Sequence, residues 1–374
     1  MASLRLDVIT DDAGFDALRS AWERVLVRSS DRSVFLTWEW ARTWWRHYGR
    51  RDRLHIVTVS DGADVVAIAP LLRTGIRYGK VGITMLVGIG QENADYGGML
   101  LGPRPREAAD LILGSLESEI RDGPVVLNLT RLRPEGDLLR IVGERFGSGT
   151  AGTDNSDITL ARAQQSIYPY LDLSTVDDPA RYVAKLDTKN DSRRCLRRFR
   201  EAHDVTFEYD VEPTTDAMRT LLDLYERRWA EKPGTASGVF ASDRGRAFIS
   251  EAASLLHAEG RAKLSFLSAD GAAVGGRFGF EFEGAYLGFM ETFEPDFGRF
   301  GPGQILVAQI LAAAVERGLH EFDFMRGEGL HKSKWANSAR EVDYWVAHRR
   351  GRLGQLHRRL MWNLMRLRVR NSAR

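Results

Sequence analysis

A short region near the C-terminal end of the sequence holds the side chains best suited to moving protons. It contains three acidic residues and a histidine, namely Glu291, Asp323, Glu328 and His331. Carboxylates and imidazoles are common general acids and bases, and histidine changes its charge close to neutral pH. Each of the three acids could instead form a structural ion pair with a nearby arginine or lysine, and the sequence leaves both interpretations open.

The same region contains a glycine-rich loop that could bind an anion. Residues 297–304 read Phe-Gly-Arg-Phe-Gly-Pro-Gly-Gln and are followed directly by a helix predicted over 305–318. Unpaired amides at the N-terminus of a helix favour phosphate or carboxylate groups. Pro302 lacks an N–H, so Gly301, Gly303 and Gln304 would have to supply the donors. The alternative is an ordinary loop whose glycines make it flexible.

Strands on either side of this helix must position the acidic residues. Short apolar runs predict strands over 285–292 and 321–325, and a polar loop over 326–335 follows the second strand. Alternate residues of a strand share a face, which places Glu291 on the same face as Phe289.

A strand–turn–strand pattern occurs twice in the sequence. One copy covers residues 54–72 and the other covers residues 262–280, each with an Asp-Gly turn. This recurrence predicts two copies of one fold. The stretch 145–167 between them is rich in glycine, serine, threonine and aspartate, as is typical of a domain boundary.

The composition is that of a globular protein large enough for two domains. The chain has 374 residues, 43% of them apolar, and a formal charge of +2 that argues against a DNA partner. A single cysteine, Cys195, excludes an internal disulfide and favours a reducing compartment. With no signal peptide, no apolar run of about 18 residues and no metal-binding spacing, we predict a cytoplasmic protein without a metal.

Two segments are strongly basic despite the small net charge. Residues 182–203 include five arginines, and residues 348–374 hold nine arginines and no acidic residue. The first segment is either a solvated helix face or an electrostatic guide for an anionic substrate. The second has leucines at helical spacing and predicts a basic amphipathic helix, which could pack on the protein or lie on the inner face of an anionic membrane.

The residues of the glycine loop resemble a known family. Residues 299–304 resemble a degenerate acyl-CoA pyrophosphate loop of the GNAT acetyltransferases. Residues 322–328, with Lys-Ser-Lys-Trp at 332–335, are similar to the CelD/BcsL branch, whose second domain is called BioF2-like and which is related to the FemAB-type transferases. The resemblance implies an α+β (mixed α/β) fold with two tandem GNAT-like domains, each a mixed central sheet flanked by helices. We expect them at 1–160 and 168–347, followed by the basic helix 348–374.

The family resemblance also implies a reaction. It is the transfer of an acyl group, most often acetyl, from acyl-CoA to an amine, such as an amino sugar in cell-surface polysaccharide synthesis. Glu291 is then the favoured general base, ahead of Asp323 and Glu328, and His331 stands where relatives tend to have tyrosine. The residues expected at the donor are Phe289, Met290, Gly298, Arg299, Gly301, Gly303 and Gln304. Those expected at the acceptor are Asp95, Tyr96, Arg326, Lys332 and Trp335.

Two other functions stay open. A FemAB-like enzyme would take its acyl group from aminoacyl-tRNA, which the basic segment and the proline in the loop favour. A non-catalytic scaffold or binding protein at the membrane surface is the third interpretation. Binding of acyl-CoA would separate these alternatives.

Overall fold

The structure is a computed structural model that describes residues 3–49, 53–78, 81–146, 157–230, 240, 242–327 and 329–351. The chain divides into two compact units. The first unit consists of Met1–Ser166 and Glu341–Arg374, and the second consists of Ile167–Arg340. Most of the predicted basic helix, from residue 352 onward, lies outside the described residues.

The elements of the first part of the chain are, in order, β1 Leu4–Ile9, α1 Asp12–Ala17, α2 Arg19–Leu26, α3 Trp38–Tyr48, β2 Leu54–Asp61, β3 Asp64–Tyr78, β4 Val81–Gly88, β5 Leu100–Leu101, α4 Pro105–Asp122, β6 Val125–Leu132, α5 Asp137–Phe146 and β7 Ile158–Asp172. A short 3₁₀ helix, Val34–Leu36, precedes α3. The boundary between the units falls within β7.

The elements that follow are α6 Pro179–Lys189, α7 Ser192–Ala202, β8 Val205–Val211, α8 Thr215–Ala230, α9 Asp243–Ala258, β9 Ala262–Ala269, β10 Ala272–Phe282, β11 Ala285–Phe293, α10 Pro302–Glu316, β12 Glu321–Asp323, α11 Leu330–Ser333 and β13 Ser338–Arg349. A 3₁₀ helix, Pro295–Phe300, occupies the glycine loop before α10. The segment 182–203 forms parts of two helices, because Asp191 adopts a left-handed conformation (φ 59°) between α6 and α7.

Both units have the same strand order. In the first, β1, β2, β3 and β4 are successive antiparallel neighbours, β4 and β6 are parallel, and β13 pairs antiparallel with β6. In the second, β8, β9, β10 and β11 are antiparallel, β11 and β12 are parallel, and β7 pairs antiparallel with β12. The predicted mixed sheets and the repetition of one fold are confirmed.

Helices cover both faces of the second sheet. Gly275 and Gly276 are neighbours on β10 and therefore face opposite sides. Leu306 of α10 lies 3.2 Å from the position of a Cβ on Gly275, and Leu221 of α8 lies 2.7 Å from that on Gly276. Helix α10 is apolar almost all round and buries eight of its residues, as a helix enclosed by protein should. Among the described residues, no helix is long and apolar enough to cross a membrane.

The division of the chain differs from the predicted one at its C-terminal end. The prediction assigned residues 168–347 to one continuous domain. In the structure, residues Asp343–His348 of β13 form a ladder with β6 of the first unit, and Gln165 donates to Glu341 at 2.8 Å. Sequence periodicity predicts that β13 is a strand, but it carries no information about which edge the strand will join.

Candidate active site

An opening between two parallel strands lies at the centre of the second unit. β11 and β12 pair only over Ala285–Leu287 and Glu321–Asp323. β12 ends there, whereas β11 continues to Phe293. From Gly288 onward, this edge of β11 therefore extends beyond its parallel partner. Exposed strand edges bind extended ligands through main-chain hydrogen bonds.

A β-bulge in β11 decides which side chains face this opening. Phe278 pairs with Met290 and Gly279 pairs with Gly288, so Phe289 is an extra residue on its strand. Its ring packs against Phe278 and Phe280 at centroid distances of 6.2 and 5.5 Å. Glu291 instead contacts Arg277, on the other face of β10. The prediction that Phe289 and Glu291 share a face is wrong, because a bulge interrupts the alternation.

Glu291 forms an ion pair with the buried Arg277. Nη1 of Arg277 donates to Oε2 of Glu291, whose side chain keeps 24% of its exposure. Two glycines make room for the pair. A Cβ on Gly288 would collide with Nη2 of Arg277, and one on Gly303 would lie 2.8 Å from Oε1 of Glu291. The carboxylate is thus held between β10 and the first turn of α10.

Tyr286 brings a buried hydroxyl to the same cluster. Its side chain is fully buried, and its hydroxyl makes no hydrogen bond of good geometry among the described residues. Burial raises the pKa of Tyr286 to about 12, while Arg277 acts in the opposite direction. At neutral pH this hydroxyl is therefore protonated and able to donate.

Arg228 approaches Glu291 from α8. Its Nη1 lies 3.5 Å from the carbonyl oxygen of Glu291, and its guanidinium stands over the Phe293 ring at 3.7 Å from the centroid. Burial lowers the pKa of Arg228, while the negative charge of Glu291 raises it. An arginine remains charged under such shifts, so two guanidinium groups flank the one carboxylate.

His331 completes the titratable part of the site from α11. The residue is exposed overall, but partial burial of its imidazole lowers the pKa of His331. The negative charge of Glu291 raises this pKa, and the positive charges of Lys332, Arg228 and Arg277 lower it. The imidazole is consequently neutral at physiological pH and can accept a proton. Its pKa depends on the same charged residues that surround Glu291.

Three of the predicted site residues, Lys332, Trp335 and Asp323, have structural surroundings. Lys332 donates to the carbonyls of Met325 and Arg326 at 3.2 and 2.6 Å. Trp335 is buried in the apolar core, so the predicted substrate contact does not agree with its position. Asp323 is fully buried.

The surroundings of Asp323 favour a structural role. Its carboxylate accepts from Arg340 at 2.9 Å and from the amide of Met325 at 2.7 Å. Arg340 also binds Glu321 at 3.0 Å. Of the two interpretations left open for the acids, Asp323 fits the ion pair. Glu328 lies outside the described residues, and Arg326 is exposed.

The glycine loop has few free amides. Gly301 adopts a left-handed conformation (φ 68°), which suits glycine. Its N–H donates to Gly298 at 3.0 Å, and the N–H of Gln304 donates to the Gly301 carbonyl at 3.0 Å. Since Pro302 has no N–H, Gly303 is the remaining donor of the predicted set. The cradle of several backbone amides expected from the sequence is not present.

The corresponding place in the first unit is filled by its own loop. β4 and β6 pair only over Thr84–Leu86 and Val125–Leu127. Beyond this pairing, Gln91 accepts from the Thr130 hydroxyl at 2.5 Å. The guanidinium of Arg131 donates to the Gln91 and Ala94 carbonyls.

The predicted acceptor residues of the first unit belong to this loop. Tyr96 is buried, with the Arg133 guanidinium 5.0 Å from its ring centroid, and Asp95 is half-buried. A Cβ on Gly88 would collide with the side chain of Gln91. The loop therefore leaves no room for an extended ligand beside β4.

Three residues of this cluster were not predicted from the sequence, namely Arg277, Tyr286 and Arg228. A signal was present for Arg277, because it is a charged residue between glycines and aromatics in a strand that is otherwise apolar. Charges of this kind are rarely buried unless they are paired. Within the described ranges, no group of three or more histidine, cysteine or acidic residues could hold a metal ion.

Comparison with known proteins agrees with this architecture. Residues 187–333, less than half of the chain, match the family model of the acetyltransferase (GNAT) domain. No curated protein matches the chain.

Several solved structures are similar in fold. FemX is 11% identical with a TM-score of 0.58, over 91% of this chain and 96% of FemX. A conserved protein of unknown function from Bacteroides thetaiotaomicron is 14% identical with a TM-score of 0.54, over 92% and 99% of the two chains. L-PGS from Bacillus licheniformis is 12% identical with a TM-score of 0.51, over 87% and 95%. Sequence identities this low show a similarity of fold alone.

Proposed function

We propose that the second unit is a GNAT-type N-acyltransferase whose active centre is formed by Glu291, His331 and the open edge of β11. The observation that carries the proposal is the position of Glu291. Its carboxylate lies beside a bulge in β11, next to the strand edge left open by β12 and against the first turn of α10. The match of residues 187–333 to the acetyltransferase domain supports the same assignment.

In this mechanism, Glu291 orients the acceptor amine and His331 removes its proton. Arg277 fixes the position of the Glu291 carboxylate, and a carboxylate held in this way is a good hydrogen-bond acceptor for an amine. The neutral imidazole of His331 takes the proton as the amine nitrogen attacks the acyl carbonyl. The bond from the carbonyl carbon to the leaving thiolate or ribose oxygen then breaks, and that leaving group is protonated.

The donor is proposed to be an acyl-CoA, and acetyl-CoA is the acyl-CoA that we favour. The open edge of β11 suits the amide groups of an extended pantetheine chain. The second candidate is aminoacyl-tRNA, as in the FemAB-type resemblance, and the shortage of free amides in the glycine loop favours it. The acceptor is proposed to be an amine on a small molecule or glycan, such as an amino sugar, and the protein is proposed to act in the cytoplasm.

The test is a transfer assay with both donors and a panel of amines. We expect the wild-type protein to acylate an amine from one donor and the Glu291→Gln protein to bind that donor with little change but to lose at least a hundredfold in kcat. Full activity of Glu291→Gln would contradict the proposed centre. Absence of both binding and transfer with either donor would favour the third interpretation, a non-catalytic membrane-surface protein.

A further inference from the structure

The phosphates of a nucleotide-linked donor need positive partners that the glycine loop does not supply. Pro302 has no N–H, and the amides of Gly301 and Gln304 are bonded within the loop. The N-terminus of α10 therefore offers far fewer free donors than an anion-binding helix start requires. Side-chain cations near the loop are the remaining means of binding phosphate.

Helix α7 presents such cations directly beside the loop. Arg194 and Arg200 are exposed and have no ion-pair partner among the described residues. Arg197 lies 3.9 Å from Glu201, with both side chains mostly exposed, and Arg198 donates to the carbonyl of Arg299 at 2.7 Å. We call the exposed guanidinium groups of Arg194, Arg197, Arg198, Arg200 and Arg299 the arginine surface.

Many arginines elsewhere in the described part of the protein form ion pairs. Arg145 binds Glu117 and Asp110 at 2.5 and 2.9 Å, and Arg317 binds Glu281 at 2.7 Å. Acidic residues nearly balance basic ones over the whole chain, with a net charge of only +2. The arginine surface is therefore a local excess of positive charge, which raises the local concentration of anions and the rate at which they associate.

The arginine surface is joined to the active centre by close packing. Phe199 of α7 stacks on Phe300 of the loop at a centroid distance of 4.6 Å. Sγ of Cys195 lies 3.0 Å from the position of a Cβ on Gly301, and Gly303 contacts Glu291 in the same way at 2.8 Å. A phosphate group held by Arg198 and Arg299 would thus lie beside the start of α10, close to the open edge of β11.

A shallow depression in the surface of α7 lies between several of its side chains. It has a volume of about 380 Å³ and is lined by Arg193, Leu196, Arg197, Arg200 and Glu201. Guanidinium planes bind phosphate in bidentate fashion and also stack on aromatic rings. Leu196 adds an apolar floor on which a ribose or base could pack.

We propose that the arginine surface binds the nucleotide phosphates of the acyl donor, in place of backbone amides of the glycine loop. This inference rests on the proposed acyl transfer. It adds the binding site for the part of the donor that carries the acyl group. The phosphates could belong to the nucleotide part of acyl-CoA or to the backbone of an RNA, and the chemistry recognised by the arginines is the same in both.

The test compares Arg194→Glu/Arg200→Glu with wild type, using Arg24→Glu as the matched control. Arg24 is exposed in α2 and donates only to the Ser20 carbonyl, so its charge reversal leaves the second unit unchanged. Binding of acetyl-CoA and of a 12-nucleotide oligouridylate is measured by titration at 50 and 200 mM salt.

For the nucleotide probe that the wild type binds, we expect the double variant to bind at least tenfold more weakly at low salt. The slope of the logarithm of its affinity against the logarithm of the salt concentration should become shallower by about one unit for each arginine lost. In turnover, the effect should appear in the KM of the donor, with kcat nearly unchanged, because neither arginine touches the reacting atoms. The Arg24→Glu protein should match wild type.

The outcome identifies the phosphate source and separates this inference from the proposed function. Weaker binding of acetyl-CoA alone indicates CoA, and weaker binding of oligouridylate alone indicates RNA. Wild-type affinity of the double variant for both probes, or no binding of either probe by wild type, would overturn the proposal. If the proposed function is wrong but this inference is right, wild type will bind a nucleotide probe and form no product, and the double variant will lose that binding.

Discussion

Replacing Gly303 by alanine should damage catalysis without damaging the fold. A Cβ at this position would lie 2.8 Å from Oε1 of Glu291 and 3.6 Å from the Phe293 ring. A carbon–oxygen contact needs roughly 3.2–3.4 Å, so the carboxylate must move by about half an ångström. Arg277 holds its other oxygen and resists the movement. Since a misplacement of about 1 Å can cost a hundredfold in rate, we expect roughly a tenfold loss in kcat/KM.

The folding free energy should change little in the same variant. Gly303 lies in the first turn of α10, and alanine there reduces the conformational entropy of the unfolded chain, which offsets part of the strain at Glu291. Gly143→Ala in α5 is the matched control, because a Cβ there meets nothing within 4 Å. That control should be stabilised by up to about 1 kcal/mol and keep full activity. The measurements are initial rates of acyl transfer and urea unfolding curves, and a Gly303→Ala protein as active as wild type would refute the role given to Glu291.

Three further predictions concern protonation and stoichiometry. The acid limb of the pH profile of kcat/KM should lie below pH 6.5, because burial lowers the pKa of His331, and it should be absent in His331→Ala. Titration with the active donor should saturate at one molecule per chain, since the loop of Gln91 fills the first unit; a stoichiometry of two would contradict this. Burial raises the pKa of Asp31 from 3.8 to about 7, so the protonated form is favoured in the folded state. The contribution of Asp31 to the free energy of unfolding is then fully present below pH 3.8 and is lost, by up to about 4 kcal/mol, as pH rises through 7; equilibrium unfolding of wild type and Asp31→Asn at several pH values should show this difference between the two proteins.

Regular patterns made the secondary structure predictable from the sequence. The two hairpins were evident because short apolar runs are joined by Asp-Gly turns. The predicted strand at 285–292 and helix at 305–318 agree with β11 and α10 to within a few residues. The recurrence of the hairpin was enough to predict a repeated fold, because its two strands occupy the same places in the strand order of each unit.

The details of the site depend on contacts that the sequence does not encode locally. The bulge at Phe289 shifts one strand against another. Gly288 is a residue typical of bulges, but the sequence does not show which of its neighbours is the extra residue. Lys332 was expected at the acceptor, but it donates to two carbonyls of its own loop. The amides of Gly301 and Gln304 are used within the loop because the chain forms a 3₁₀ helix before α10. The roles of Glu291 and His331 stay predictions for the transfer assay.

The path of the chain implies an unusual order of folding during synthesis. The first unit needs β13, which is made after the whole of the second unit, whereas Ile167–Arg340 is continuous. Domains usually fold in the order in which they leave the ribosome. Here we expect the unit that starts first to finish last, with this edge of β6 unpaired until β13 has been synthesised. An unpaired strand edge promotes aggregation, so a fragment that ends at Ser166 should be far less soluble than the fragment Ile167–Arg340.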